Sequence, residues 1–204
     1  MPVIFICFIL FIMWFRVKSK KASKMEQNSK EDFLRREHEA NLTRKKDISN
    51  LDYIVIPEED LPFTETNDEE EAMLQDNLRK AMSKKILNLS GISNTDLKLE
   101  YGYANLEALS QYDQNFTNLL RCLDKWAGFL YKKDERQRSK QILEYAISIG
   151  SDITGTYTTL AQIYLDENEP GKVQPLIDTA KNSSSFMKDS IVSKLTQLIQ
   201  NYTS

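Results

Sequence analysis

The sequence predicts an all-α fold: antiparallel helix hairpins stacked as a short α-α superhelix, preceded by an N-terminal transmembrane helix and an extended segment. Three observations carry this. From residue 68 onward the apolar residues recur at i, i+3, i+4 and i+7, the signature of one helix face. Only 6 of 204 residues are Gly and 5 are Pro, so tight β-turns are scarce. The chain also matches itself without a gap at an offset of 34 residues.

Residues 3–15, VIFICFILFIMWF, contain no charge and are followed at once by RVKSKKASK. A helix over these 13 residues spans about 20 Å. With Met1, Pro2 and the aliphatic stems of Arg16 and Lys18 it approaches the lower limit for a bilayer core of about 30 Å. A cleaved signal peptide needs basic residues before the apolar run and small ones after it, and a core helix is rarely apolar on every face. The pattern therefore predicts a short single-pass anchor over 1–17. Trp14 stands where a membrane-interface aromatic belongs, with Arg16, Lys18, Lys20 and Lys21 behind it. The positive-inside rule then places the remaining chain in the cytoplasm of a cell-membrane protein.

Residues 18–67 read as a tether. From 16 to 46 there are 11 basic and 5 acidic residues; from 47 to 78 there are 11 acidic residues and no Lys or Arg. The first block is drawn to anionic lipid and the second is repelled by it. Residues 30–46 predict a polar helix with a thin apolar stripe of Phe33, Leu34 and Leu42. Residues 51–63, LDYIVIPEEDLPF, predict extended backbone, because Pro57 and Pro62 exclude a continuous helix. Tyr53, Ile54, Ile56, Leu61 and Phe63 are too apolar to float beside an acidic linker. They are expected to dock on the helical domain, the alternative being a motif for another protein.

Residues 68–204 are expected to hold helices over 69–89, 95–111 (with a break at Gly102), 114–132, 135–149, 153–167, 170–182 and 186–201. Gly91 and Gly150 suit helix C-termini, Pro170 suits a first turn, and Asp113, Asp134 and Asp152 suit N-caps. In the 34-residue repeat, Leu123, Trp126, Ala127, Leu130, Ser139, Leu143 and Ala146 recur as Tyr157, Leu160, Ala161, Tyr164, Val173, Ile177 and Ala180. An ordinary antiparallel bundle carries similar stripes, but not a fixed repeat.

Leu123-x2-Trp126-Ala127-x2-Leu130 and its second copy, Tyr157-x2-Leu160-Ala161-x2-Tyr164, resemble the tetratricopeptide repeat over about 120–182, although they lack the family's Gly and its usual Pro between repeats. The resemblance implies a peptide-binding groove on the inner face of each first helix, here Arg121, Asp124, Gly128, Tyr131 and Lys132, then Thr158, Gln162, Leu165 and Asp166. Carboxylate-clamping members need Lys, Arg and Asn at the central places, where this chain has Asp124 and Gly128. That speaks against capture of a peptide C-terminus and leaves a mixed polar and aromatic groove. The layout as a whole is similar to uncharacterised bacterial single-pass proteins with a helical-repeat cytoplasmic domain, a likeness that implies no activity.

The chemistry-bearing residues are few. His38, the only His, has no partner at metal-ligand spacing, and Cys122 has no His after it to act as a base. The carboxylates at 58–60 and 68–71 lack the spacing and central Gly of a calcium loop. A net charge of −3 argues against a nucleic-acid partner held by bulk charge. The sequence therefore predicts no catalysis, metal or cofactor. The expected function is a membrane-anchored scaffold holding a protein partner; the alternative is a structural subunit assembled through its anchor and juxtamembrane helix.

Overall fold

The structure is a computed structural model that describes Trp14, Lys18 and residues 29–203. Most of the expected anchor, including Arg16, and also Lys20 and Lys21 lie outside these residues. Lys18 Nζ sits 5.8 Å from the centroid of the Trp14 ring. Among the described residues no helix is long and apolar enough to cross a membrane, and none forms a β-strand. The helices are α1 (29–42), α2 (Glu69–Met82), α3 (Asn94–Tyr101), α4 (Leu106–Lys132), α5 (Arg136–Ser148), α6 (Thr154–Asp166), α7 (Val173–Asn182) and α8 (Lys188–Thr203).

The chain folds as two compact units. The smaller joins residues 29–47 to Ser93–Leu106. Ser93 caps α3 by accepting the Asp96 N–H at 3.2 Å. The ammonium of Lys98, almost fully buried, pairs with the Glu37 carboxylate of α1 and donates to Asn41 Oδ1 at 3.0 Å. Thr95 Oγ1 donates to the same Glu37 at 2.8 Å, and Arg36 pairs with Asp96. These bonds and the positive charge of Lys98 hold the Glu37 carboxyl below its ordinary range. The polar helix α1 thus folds by ion pairing with α3, an interaction between segments about 60 residues apart that no local pattern encodes.

Gly102 closes this unit. Its φ is +87°, and a Cβ built there would collide with the Arg44 carbonyl. Asn105 Nδ2 then donates to the carbonyls of Lys46 at 2.8 Å and Tyr101 at 2.7 Å, and the Lys46 N–H donates to Tyr101 O at 3.0 Å.

The larger unit holds Ile48–Ile92 and Glu107–Ser204. α4 is a single 27-residue helix, where a break at Asp113 was expected. Asp113 is not a cap; its carboxylate accepts the Leu89 N–H at 3.0 Å. The reason lies in residues 83–92, of which 83–89 were expected to continue α2. The backbone there is satisfied from outside: Asn115 Nδ2 donates to Lys85 O at 2.9 Å, Ile54 N–H to Ile86 O at 3.0 Å and Leu87 N–H to Tyr112 O at 3.3 Å. Ile86, Leu87 and Leu89 are buried in that extended path. Tertiary bonds replace the helical ladder, so α2 stops at Met82. Gly91, with φ +85°, belongs to this connection.

The C-terminal helices end alike. Gly150 closes α5 with φ +96°; its N–H donates to Ile147 O and the next, of Ser151, to Ala146 O, the paired bonds of a Schellman motif. Asp134 closes α4 (φ 64°): its N–H donates to Tyr131 O and the next, of Glu135, to Leu130 O. Asn168 closes α6 (φ 60°) likewise, its N–H donating to Leu165 O and that of Glu169 to Tyr164 O. Asp134 is thus a left-handed C-terminal residue rather than an N-cap. Asp152 caps nothing and accepts from Ser185 Oγ at 3.0 Å.

α5 and α6 run antiparallel, since Arg136 and Gln137 at the start of α5 reach Asp166 and Glu167 at the end of α6. α4 and α6 run parallel: Asp124 meets Thr156, and Tyr131 meets Asp166. Each apolar position of the 34-residue repeat named above is buried. α8 packs on α6 and α7 through Ile191 and Leu195.

Gly102→Ala should destabilise the smaller unit by about 2–4 kcal/mol, from its left-handed backbone and the collision with Arg44. Amide exchange should show protection lost across 29–47 and kept in α4–α7; unchanged protection in α1 would contradict the packing described.

Candidate functional site

The segment 51–63 lies in the larger unit as part of its core. Ile56 and Leu61 are buried in the main apolar cluster, with Ile54 and Phe63 packed on it. Phe63 stacks on Trp126 with centroids 4.9 Å apart and planes 29° apart. Arg79 of α2 covers Phe63 with its guanidinium carbon 4.3 Å from the ring centroid. Tyr53 meets Tyr112 edge-on at 5.7 Å, and its hydroxyl donates to Ile48 O. The segment is not extended throughout, contrary to the expectation from its prolines: Glu58–Asp60 form a 3-10 turn between extended Pro57 and Leu61. Side chains take carbonyls of the segment, Arg138 donating to Pro62 O at 3.2 Å and Gln141 to Asp60 O at 3.1 Å.

Arg138 of α5 ties three elements together. Its guanidinium pairs with the buried Glu71 carboxylate of α2, with Glu135 at 2.5 Å, and with Thr64 Oγ1 at 3.1 Å. The guanidinium carbon also stands 5.8 Å from the centroid of the buried Trp126 ring. Burial works to raise the Glu71 carboxyl, but bonds and charge from Arg138, with bonds from Thr66 and Gln75, outweigh it and hold the group below its ordinary range. Asp68 caps α2 by accepting the Glu70 and Glu71 N–H groups at 3.0 and 3.3 Å and pairs with Lys133 at 3.0 Å.

The groove residues named from the sequence separate into places. Asp124 and Thr156 form one contact, the threonine hydroxyl donating at 2.9 Å. Burial pushes the Asp124 carboxyl up, against the effect of that bond. Tyr131, Gln162 and Asp166 come together where α4 and α6 end. Asp166 accepts from Gln162 and Arg136 at 2.8 Å each and lies 3.5 Å from the Tyr131 hydroxyl. Thr158 spends its hydroxyl on the carbonyls of Thr154 and Gly155. Leu165 is buried, and it lines a hollow with Leu198 and Tyr202 of α8. Arg121 and Lys132 are exposed. This face is therefore shared: α8 adjoins its α6 half, while its α4 half opens onto α2.

Between α2 and α4 lies a cleft of about 580 Å³. Leu74, Gly128 and Phe129 give it an apolar floor. Lys125, Lys132 and Lys133 stand around it, opposed by Glu70 and Asp124. Gly128 is in the body of α4, and a Cβ built on it would meet nothing within 4 Å. Glu70 and Leu74 were not among the expected groove residues because α2 lies before the 120–182 covered by the repeat register; Lys125, Phe129 and Lys133 fall within it but off the inner face that the register assigns. Among the described residues no group of three His, Cys, Asp or Glu is placed to hold a metal ion. Cys122 is half-buried with its thiol pushed up by burial, the direction of an unreactive side chain.

Compared with protein-family models, curated proteins and solved structures, the chain matches none.

Arg138→Met should lower stability by roughly 2–4 kcal/mol, since it strands the Glu71 carboxylate, of which 5% is exposed. Glu71 itself carries a pH signature. With its folded pKa below the ordinary 4.5, its contribution is present above that value and is lost as pH falls through the folded pKa. Acidification below about pH 4.5 should therefore destabilise the native chain more steeply than Glu71→Gln. Parallel pH profiles in denaturant titrations would contradict the pairing.

Proposed function

We propose that the chain is a membrane-anchored cytoplasmic adaptor of tetratricopeptide-like build, binding a protein partner through its helical surface without catalysis. The observation that carries this reading is the open α2–α4 cleft, which includes Asp124, Gly128 and Lys132 of the face assigned by the repeat register. The repeat reading draws support from the parallel course of α4 and α6 and from the left-handed residues Asp134 and Asn168, which stand 168 − 134 = 34 residues apart. Anchoring and orientation rest on the apolar run at 3–15 and the basic run behind it.

A second reading has its own observation. Phe33, Leu34 and Leu42 of α1 are more than half exposed. That apolar surface suits a structural subunit assembled through its anchor and juxtamembrane helix.

One comparison separates the two. The tagged full chain is isolated in detergent from its own membranes, as wild type and as Gly128→Trp, which fills the cleft where no neighbour of the fold stands. An adaptor loses its co-purifying partner by roughly tenfold or more, as expected when a central contact surface is blocked. Recovery unchanged in the variant, with α1 substitutions such as Leu42→Asp removing the partner instead, would favour the structural subunit.

A further inference from the structure

We propose that the α2–α4 cleft receives an acidic segment of the partner protein, recognised through side-chain carboxylates on either side of an apolar side chain. This rests on the adaptor reading and names the chemistry of its partner.

The charge is uneven. A second cleft of about 270 Å³ adjoins the first and shares Leu74 and Lys125 with it. Together they are lined by five lysines (80, 84, 125, 132 and 133) against Glu70 and Asp124, which leaves one positive charge in excess once the paired Asp68 and Asp76 are counted, on a chain whose net charge is −3. Lys80 and Lys133 already pair with Asp76 at 2.5 Å and Asp68 at 3.0 Å. Lys84, Lys125 and Lys132 are exposed. Electrostatic complementarity of this kind selects an acidic partner and speeds its approach.

Gly128 adds an observation independent of charge. Glycine inside a helix lowers stability by about 1 kcal/mol relative to alanine. No neighbour in the fold demands it, because a Cβ there meets nothing within 4 Å, and its backbone is helical. The room above it is the floor of the cleft, where a bound backbone can come close to α4. Leu74 and Phe129 beside it fit an apolar side chain, and Asp124 offers an acceptor for a backbone N–H. A mixed floor of this kind suits a peptide better than a uniform polyanion, which Glu70 and Asp124 would repel.

The probe is a fluorescein-labelled peptide of about twelve residues, Glu and Asp with Leu at every third position, titrated into the detergent-solubilised full chain. A counterpart with Lys at the acidic positions and vesicles of phosphatidylserine and phosphatidylcholine serve as comparisons. The acidic peptide should bind with a Kd of roughly 1–100 μM, more weakly as salt rises. Lys125→Glu/Lys132→Glu and Gly128→Trp should each weaken it about tenfold or more while helical circular dichroism is retained, and Lys181→Glu on α7 should not. Equal binding of the lysine peptide, no binding of the acidic one, indifference to both cleft variants, or displacement of the peptide by the vesicles would overturn the proposal. If Gly128→Trp releases the membrane partner but the acidic peptide never binds, the adaptor reading stands and the acidic segment falls. If the variant abolishes peptide binding while the partner stays bound, the cleft chemistry stands and the adaptor reading falls.

Discussion

The larger unit depends on what covers Trp126. This indole is fully buried, with Phe63 stacked on it and Arg138 beside it. Phe63 arrives from an extended segment, Trp126 from α4 and Arg138 from α5, which also reaches Glu71 on α2. Burying an aromatic or branched aliphatic side chain contributes about 1.5–3 kcal/mol. Burial of Ile56 and Leu61, and in part of Phe63 against Trp126, offsets part of the cost of ordering the segment, a cost that its two prolines reduce. The arrangement carries a penalty as well, because the indole N–H is buried with no acceptor among the described residues. Such a donor costs about 1–3 kcal/mol, so packing rather than hydrogen bonding holds the indole in place.

That constraint also shapes the candidate surface. With 51–63 lying along α5, through Gln141 and Arg138, and against the Phe63 side of Trp126, the Gly128 side of α4 is left open beside α2. Arg138 bonds both the carbonyl of Pro62 and the carboxylate of Glu71, so it ties the segment and α2 to α5. The apolar segment contributes to stability, and Lys84, Lys125 and Lys132 stay exposed beside the cleft.

The sequence made the helices of 114–182 legible because each repeats an apolar face and ends at a turn. The buried partners Leu123 and Tyr157, Trp126 and Leu160, and Ala127 and Ala161 follow from that periodicity alone. Residues 83–92 were illegible for the opposite reason. Their backbone partners, Asn115, Ile54 and Tyr112, lie far away in sequence, and helix propensity is a weak prior against such bonds. The pairing of Lys98 with Glu37 is of the same kind, between two polar helices; the thin stripe of Phe33, Leu34 and Leu42 on α1 stays exposed and does not announce it. The α4 half of the candidate groove was readable from the repeat register. Its α2 wall was not, since α2 belongs to no copy of the repeat. The all-helical class followed from sparse glycine and the dominance of helical spacing, and the helices of the described residues pack together in that way.

The most direct measurement of the central claim is amide exchange at Ile54 in the full chain, followed at single-residue resolution. Its N–H donates to Ile86 O at 3.0 Å, within a segment whose only regular structure is a single 3-10 turn at Glu58–Asp60. A segment integral to the core opens only with the unit, so Ile54 should exchange with an opening free energy close to that of α4 amides around Trp126. Exchange at Ile54 near the rate of an unstructured peptide, with α4 still protected, would contradict the account and make 51–63 a strap laid on a core that stands without it.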